Sequence, residues 1–128
     1  MGLDKWKEYV NSFGFGNYLG YDHPTGKPGF IPSSEYYNKW YNNSWRSVTT
    51  ISNSIGQGEV LATPIQLANF SATLANRGWF ITPHFVKEIE NDSLNRNYRK
   101  KNYSLVKAEF FEPIIDGMVN VIEKGTSY

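Results

Sequence analysis

The sequence predicts a mainly helical α+β fold carrying a single β-hairpin, and three observations predict it. Apolar residues recur at helical spacing in three separated stretches, 3–13, 64–77 and 108–123. Only the region between 80 and 103 alternates around a cluster of turn residues, as a hairpin requires. No repeat, low-complexity tract or composition shift divides the 128 residues, so one folding unit is expected.

Residues 3–13, "LDKWKEYVNSF", set Leu3, Trp6, Tyr9, Val10 and Phe13 on one helical face, opposite Asp4, Lys5, Lys7 and Glu8. Gly14 and Gly16 stop that helix. Opening inside an amphipathic helix, the chain reads as part of something longer. Residues 17–34 hold Gly20, Pro24, Gly26, Pro28, Gly29 and Pro32 and predict an irregular loop. "EYYNKWYNNSWR" (35–46) is dense in aromatics without clean periodicity, which predicts a short helix or turn. "SVTTISNSI" (47–55) is rich in β-branched residues and predicts a short strand or an extended approach to the next loop.

The strongest local signal follows. Thr63 is a favourable N-cap, Pro64 suits the first helical position, and Gln66 completes a capping box with Thr63. Ile65, Ala68, Ala72 and Ala75 form a stripe of mostly small residues, which predicts close approach of another element and a buried helix. Gly78 supplies a left-handed stop. "FITPHFVKEIE" (80–90) and "RNYRKKNY" (96–103) predict the hairpin strands, joined through "NDSLN". The last helix sets Phe111, Ile114, Ile115, Met118 and Ile122 on one face, with a bend expected at Pro113 and an end at Gly125.

Composition narrows the chemistry. Thirteen basic and twelve acidic residues leave a net charge of +1, without the basic excess of a nucleic-acid binder. The absence of cysteine removes disulfides, thiol nucleophiles and thiolate zinc sites. No apolar run approaches twenty residues and no signal peptide opens the chain, so the chain as given reads as soluble. His23 and His84, the only histidines, lie far apart without carboxylates at ligand spacing, and read as structural rather than metal-binding. No metal or cofactor is expected.

Several motif-like strings are weak. "SLVK", Ser104 to Lys107, matches the S-x-x-K pattern of serine acyltransferases, but with eleven serines and nine lysines about one match arises by chance. "KGT", Lys124 to Thr126, resembles a scrambled K-T-G but follows a helix instead of lying on a strand. The sequons at Asn42, Asn91 and Asn102 are unremarkable in an Asn-rich chain. Arg96, Arg99, Lys100 and Lys101 read as a solvated strand edge.

The stretch "SIGQGEVLATPIQLANFSATLANRGWFITPHFV" (54–86) resembles the central signature of class B penicillin-binding proteins: an I-G-Q-G loop, a T-P-x-Q helix start, an A-N-x-G helix end and a P-H-x-V strand. "MGLDKWKEYVNSFGFG" (1–16), "GKPGFIP" (26–32) and "IIDGMVNVIEKGT" (114–126) are similar to flanking family segments, in family order. The resemblance covers nearly the whole chain and is of the penicillin-binding protein 2 type. It departs at Thr25-Gly26, where the family often carries a glutamate.

The resemblance implies an internal fragment of the penicillin-binding protein transpeptidase (serine β-lactamase-like) fold, lacking most of its central sheet. It implies a D,D-transpeptidase that cross-links peptidoglycan through an acyl-enzyme, with stem peptides, β-lactams and the cell-elongation machinery as partners. The whole enzyme would be anchored in the bacterial inner membrane, with this region extracytoplasmic. The nucleophile and S-x-N motif would precede residue 1 and K-T-G would follow residue 128, so the fragment itself is expected to be inactive. Gly56, Gln57 and Gly58 would support the substrate cleft, while Thr63, Pro64 and Gln66 cap the helix behind it. Faces severed from the rest of the domain predict a homo-oligomer. The residues also allow a self-sufficient interaction or carbohydrate-binding module, with Tyr36, Tyr37, Trp40, Tyr41 and Trp45 as a stacking platform.

Overall fold

A computed structural model describes residues 1–20, 22–90 and 96–125. Among these residues, five α-helices and one two-stranded antiparallel sheet follow in the order α1 (Leu3–Ser12), α2 (Ser34–Trp40), α3 (Ser47–Ser54), α4 (Pro64–Ala75), β1 (Trp79–Ile81), β2 (Lys101–Tyr103) and α5 (Phe111–Lys124). The mainly helical α+β class and the antiparallel strand pair are present as expected.

The strand pair is shorter and placed differently than its pattern predicts. Trp79 pairs with Tyr103, Phe80 with Asn102 and Ile81 with Lys101, while 82–88 runs without regular structure. His84 therefore lies off the strand, its ring stacked on Tyr98 at 4.7 Å. Pro83 lacks an amide donor, so pairing cannot extend regularly past Ile81. The expected turn, 91–95, lies outside the described residues.

Residues 47–55 are helical, not extended. Val48, Ile51 and Ile55 recur at helical spacing, but the helix buries its opposite face, with Asn53 wholly enclosed. The β-branched content is a weak preference that tertiary contacts override.

Helix α4 also turns the unexpected face inward. Gln66, Asn69 and Thr73 are buried, whereas Ala68, Ala72 and Ala75 are exposed. The amides explain the choice, because they reach main-chain acceptors in the preceding loop that no alanine can satisfy. The helix ends at Ala75, two residues earlier than predicted. Its left-handed positions are Arg77 (φ 57) and Gly78 (φ 104), with Arg77 N–H bonded to Leu74 O at 3.0 Å and Gly78 N–H to Thr73 O at 2.8 Å. That is the paired closure of a Schellman stop. Gly78 serves a second purpose: an added Cβ would meet Phe111 Cε2 at 2.8 Å, so its absence admits the ring of α5.

Pro113 lies in the first turn of α5, after a 3₁₀ turn at Ala108–Phe110, where the missing N–H forfeits no intrahelical bond. The helix runs from Phe111 to Lys124 as one element. Arg77 and Glu112 tie its start to the end of α4 through Nε–Oε1 at 2.8 Å. The core gathers Leu3, Ile31, Tyr37, Phe80 and Phe111, with Phe13 packed edge-on against Phe70 at 5.3 Å.

Candidate functional site

Two glycine-bearing turns precede α4 in the chain. The first leaves α3 through Gly56 (φ 76), Gln57 and Gly58 (φ 70). Both glycines occupy the left-handed region that side chains resist. Gly56 N–H bonds to Asn53 O at 3.0 Å and Gln57 N–H to Ser52 O at 3.1 Å, closing the turn onto the helix end. All three residues are exposed. Gly58 backs onto Asn53, whose Oδ1 would stand 3.0 Å from an added Cβ.

The second turn is the Pro28–Phe30 loop. Phe30 and Leu61 exchange main-chain hydrogen bonds at 2.7 and 2.9 Å. Gly29 (φ 66) sits against this bridge, where an added Cβ would collide with Leu61 O and stand 2.8 Å from Gln66 Oε1.

Gln66 joins the second turn to the helix. Its Oε1 accepts from Thr63 N–H at 2.9 Å while Thr63 Oγ1 accepts from Gln66 N–H at 3.4 Å, with Pro64 in the first turn. Its Nε2 donates to the carbonyls of Pro28 (2.7 Å), Asn17 (3.1 Å) and Gly14 (3.3 Å). Asn69 Nδ2 extends the seam to Phe13 O at 2.9 Å. A single buried amide therefore holds the helix cap, the end of α1 and the 17–34 loop together.

Behind Gly58 lies a polar cluster that the sequence reading missed. The Tyr37 hydroxyl donates to Glu59 Oε2 and accepts from Asn53 Nδ2 at 3.1 Å, and the Tyr41 hydroxyl donates to Glu59 Oε1 at 2.6 Å. Hydrogen bonds from Tyr37 and then Tyr41 hold the Glu59 carboxyl below its ordinary value. Burial, followed by the bond to Glu59, pushes the Tyr37 hydroxyl up to about 12. The cluster floors a cavity of about 480 Å³ that Trp45, Arg46 and Val48 also line. The only sequence signal was an isolated acidic residue directly after the glycine turn.

The aromatic segment does not form a platform. Tyr36 meets Tyr37 at 81° and Trp40 at 47°, and Tyr37 meets Trp45 at 33°, so the rings share no plane. Both histidines make local contacts. Asp22 accepts from Phe85 N–H at 2.8 Å and Val86 N–H at 2.7 Å, bringing the neighbouring His23 ring to 6.2 Å from Phe85. Among the described residues no group of three or more His, Cys, Asp or Glu side chains is arranged to hold a metal ion.

"SLVK" is committed locally. Ser104 Oγ accepts from Val106 N–H at 3.4 Å, and Lys107 Nζ stands 3.7 Å from Glu109.

The Penicillin binding protein transpeptidase domain family matches residues 1–128. The chain belongs to that family. Two curated relatives are peptidoglycan D,D-transpeptidases MrdA. That of Acinetobacter baumannii is 32% identical over 130 residues, covering 98% of this chain and 19% of the relative. That of Haemophilus influenzae is 34% identical over 125 residues, covering 95% of this chain and 19% of the relative. The chain therefore spans about 19% of the length of these curated relatives. Among solved structures, Pseudomonas aeruginosa PBP2 in complex with WCK 5153 superposes with a TM-score of 0.80 at 31% identity, over 95% of this chain and 27% of that one. Helicobacter pylori PBP2, solved in complex with MreC, superposes with a TM-score of 0.82 at 28% identity, over 100% of this chain and 23% of that one. As a member of the transpeptidase family, the chain carries a backbone arrangement that these penicillin-binding proteins share.

Proposed function

We propose that these 128 residues are an internal part of a peptidoglycan D,D-transpeptidase that cross-links the cell wall during elongation. The family match over residues 1–128 carries this reading. In the whole enzyme a serine outside this chain attacks the D-Ala–D-Ala carbonyl and D-alanine leaves. An amine from a neighbouring strand then resolves the acyl-enzyme into a cross-link. Such a step needs nucleophile, base and oxyanion donors in mutual reach. The 128 residues supply instead a wall of the cleft, with Gly56, Gln57 and Gly58 at its rim and the Gln66 seam behind them. The pinned main chain around the rim supports that role, since a cleft edge must hold its shape.

The substrates and ligands of this reading are peptidoglycan stem peptides and β-lactams. The Helicobacter pylori PBP2–MreC complex supports the elongation machinery as partner. The enzyme would be anchored in the inner membrane with this region outside the cytoplasm. The anchor would lie outside the described helices, none of which is long and apolar enough to cross a membrane. Covalent labelling of the full-length protein with fluorescent penicillin tests the reading. Stoichiometric labelling that unlabelled drug abolishes is expected. A full-length protein that takes up no label would overturn it.

A further inference from the structure

The cavity beside Glu59 is bordered by two charges that no described residue neutralises. Glu59 accepts one tyrosine hydroxyl on each carboxylate oxygen and makes no ion pair among the described residues. A carboxylate offers about four acceptor positions, so both oxygens retain capacity for a further donor. Arg46 lines the same cavity, exposed, and its guanidinium has no ion-pair or hydrogen-bond partner among the described residues. Arg46 precedes α3 and Glu59 follows the turn after it, so the helix and its turn hold both charges at the border of one cavity. The two charges share a cavity without meeting.

The rest of the lining is suited to a small organic body. Tyr41, Trp45 and Val48 contribute apolar surface, while Thr49 and Ser52 add hydroxyls. At about 480 Å³ the space falls within the range of small-molecule sites. A ligand with only a cation answers Glu59 and leaves Arg46 unpaired, and one with only an anion does the reverse. A ligand carrying both answers the pair at once, and charge-assisted bonds of this kind are stronger than neutral ones.

We propose that this cavity binds a zwitterionic amino acid or dipeptide, its ammonium on Glu59, its carboxylate on Arg46 and its side chain against Tyr41 and Trp45. The assignment does not rest on the transpeptidase reading, so either can fail alone.

Calorimetric and ligand-observed NMR titrations of the full-length protein test it with four probes: phenylalanine, glycyl-phenylalanine, phenethylamine (cation only) and 3-phenylpropanoate (anion only). At least one zwitterion is expected to bind about tenfold more tightly than either singly charged analogue. Arg46→Gln should bring the zwitterion down to the phenethylamine level and leave phenethylamine unchanged. Glu59→Gln should bring it down to the 3-phenylpropanoate level. Arg46 makes no side-chain bond, so that variant should keep the parental melting temperature and decides the matter even if Glu59→Gln unfolds. Absence of binding by both zwitterions overturns the proposal. So does a phenethylamine that binds as tightly as the zwitterions, or zwitterion binding that Arg46→Gln leaves unchanged.

Discussion

The side-chain amide of Gln66 donates a 2.7 Å hydrogen bond to the main-chain carbonyl of Pro28, which lies 38 residues earlier in the chain. Gln66 is 1% exposed, and the same amide also reaches Asn17 and Gly14 while its oxygen holds Thr63 N–H. Gln66→Ala removes all four partners together, and unsatisfied buried groups cost more than the average hydrogen bond is worth. A loss of about 3 kcal/mol is expected in chemical denaturation. Gln66→Glu should be no better, because it places a carboxylate against three carbonyls.

Gly29 and Gly56 share a left-handed backbone but not its surroundings. An alanine at Gly56 meets nothing within 4 Å and should cost only the backbone strain, about 1 kcal/mol. An alanine at Gly29 strikes Leu61 O and the Gln66 amide oxygen, neither of which can retreat without breaking the bridge or the seam. Its melting temperature should fall clearly below that of Gly56→Ala. Equal melting temperatures would refute the importance of the Phe30–Leu61 bridge.

Stability should be bounded at both ends of the pH scale by named groups. The Tyr37 hydroxyl titrates at about 12 in the folded protein against 10.0 ordinarily, so folding favours the protonated form. Its contribution is fully present below pH 10.0 and is lost as pH rises toward about 12. Asp4 behaves in the opposite sense. Its carboxylate accepts from the hydroxyl and then from the N–H of Ser34, which lowers it below 3.8. Its contribution is present above 3.8 and lost as pH falls through the lowered value. Tyr37→Phe should flatten the alkaline limb of a stability–pH profile, and Asp4→Asn the acidic limb.

Incubating the 128-residue chain with labelled penicillin should leave its mass unchanged. Ser104 Oγ is engaged by Val106 N–H, and the lysine of its apparent motif stands beside Glu109. An adduct that Ser104→Ala abolishes would reverse this assignment.

The 128-residue chain should also self-associate. Ile55 is 68% exposed and Ile122 65%, and a groove of about 720 Å³ runs past Trp6, Phe13, Phe70 and Ile114. Uncovered apolar surface on this scale is rare in soluble monomers. Light scattering across a concentration series should show a mass rising above 14.7 kDa. A constant mass, with no binding of a dye for apolar surface, would mean the exposed faces find no partner.

Sequence alone determined the features whose causes are local. The box of Thr63, Pro64 and Gln66 needs only four consecutive residues, so the start of α4 was legible. The helical spacing in α1 and α5 was legible for the same reason, as were the glycines that turn the chain after α3. The tertiary structure alone decided which faces are buried. Small residues in α4 and β-branched ones in α3 pointed the reading elsewhere. The interior instead takes Gln66, Asn69 and Asn53, because their amides meet partners 52, 56 and 16 residues distant along the chain. The Tyr37–Glu59 pair beneath the cavity was equally hidden, since 22 residues separate its members. Periodicity records which residues share a helix face. It carries no information about the distant carbonyl or hydroxyl that makes a polar face the one worth burying.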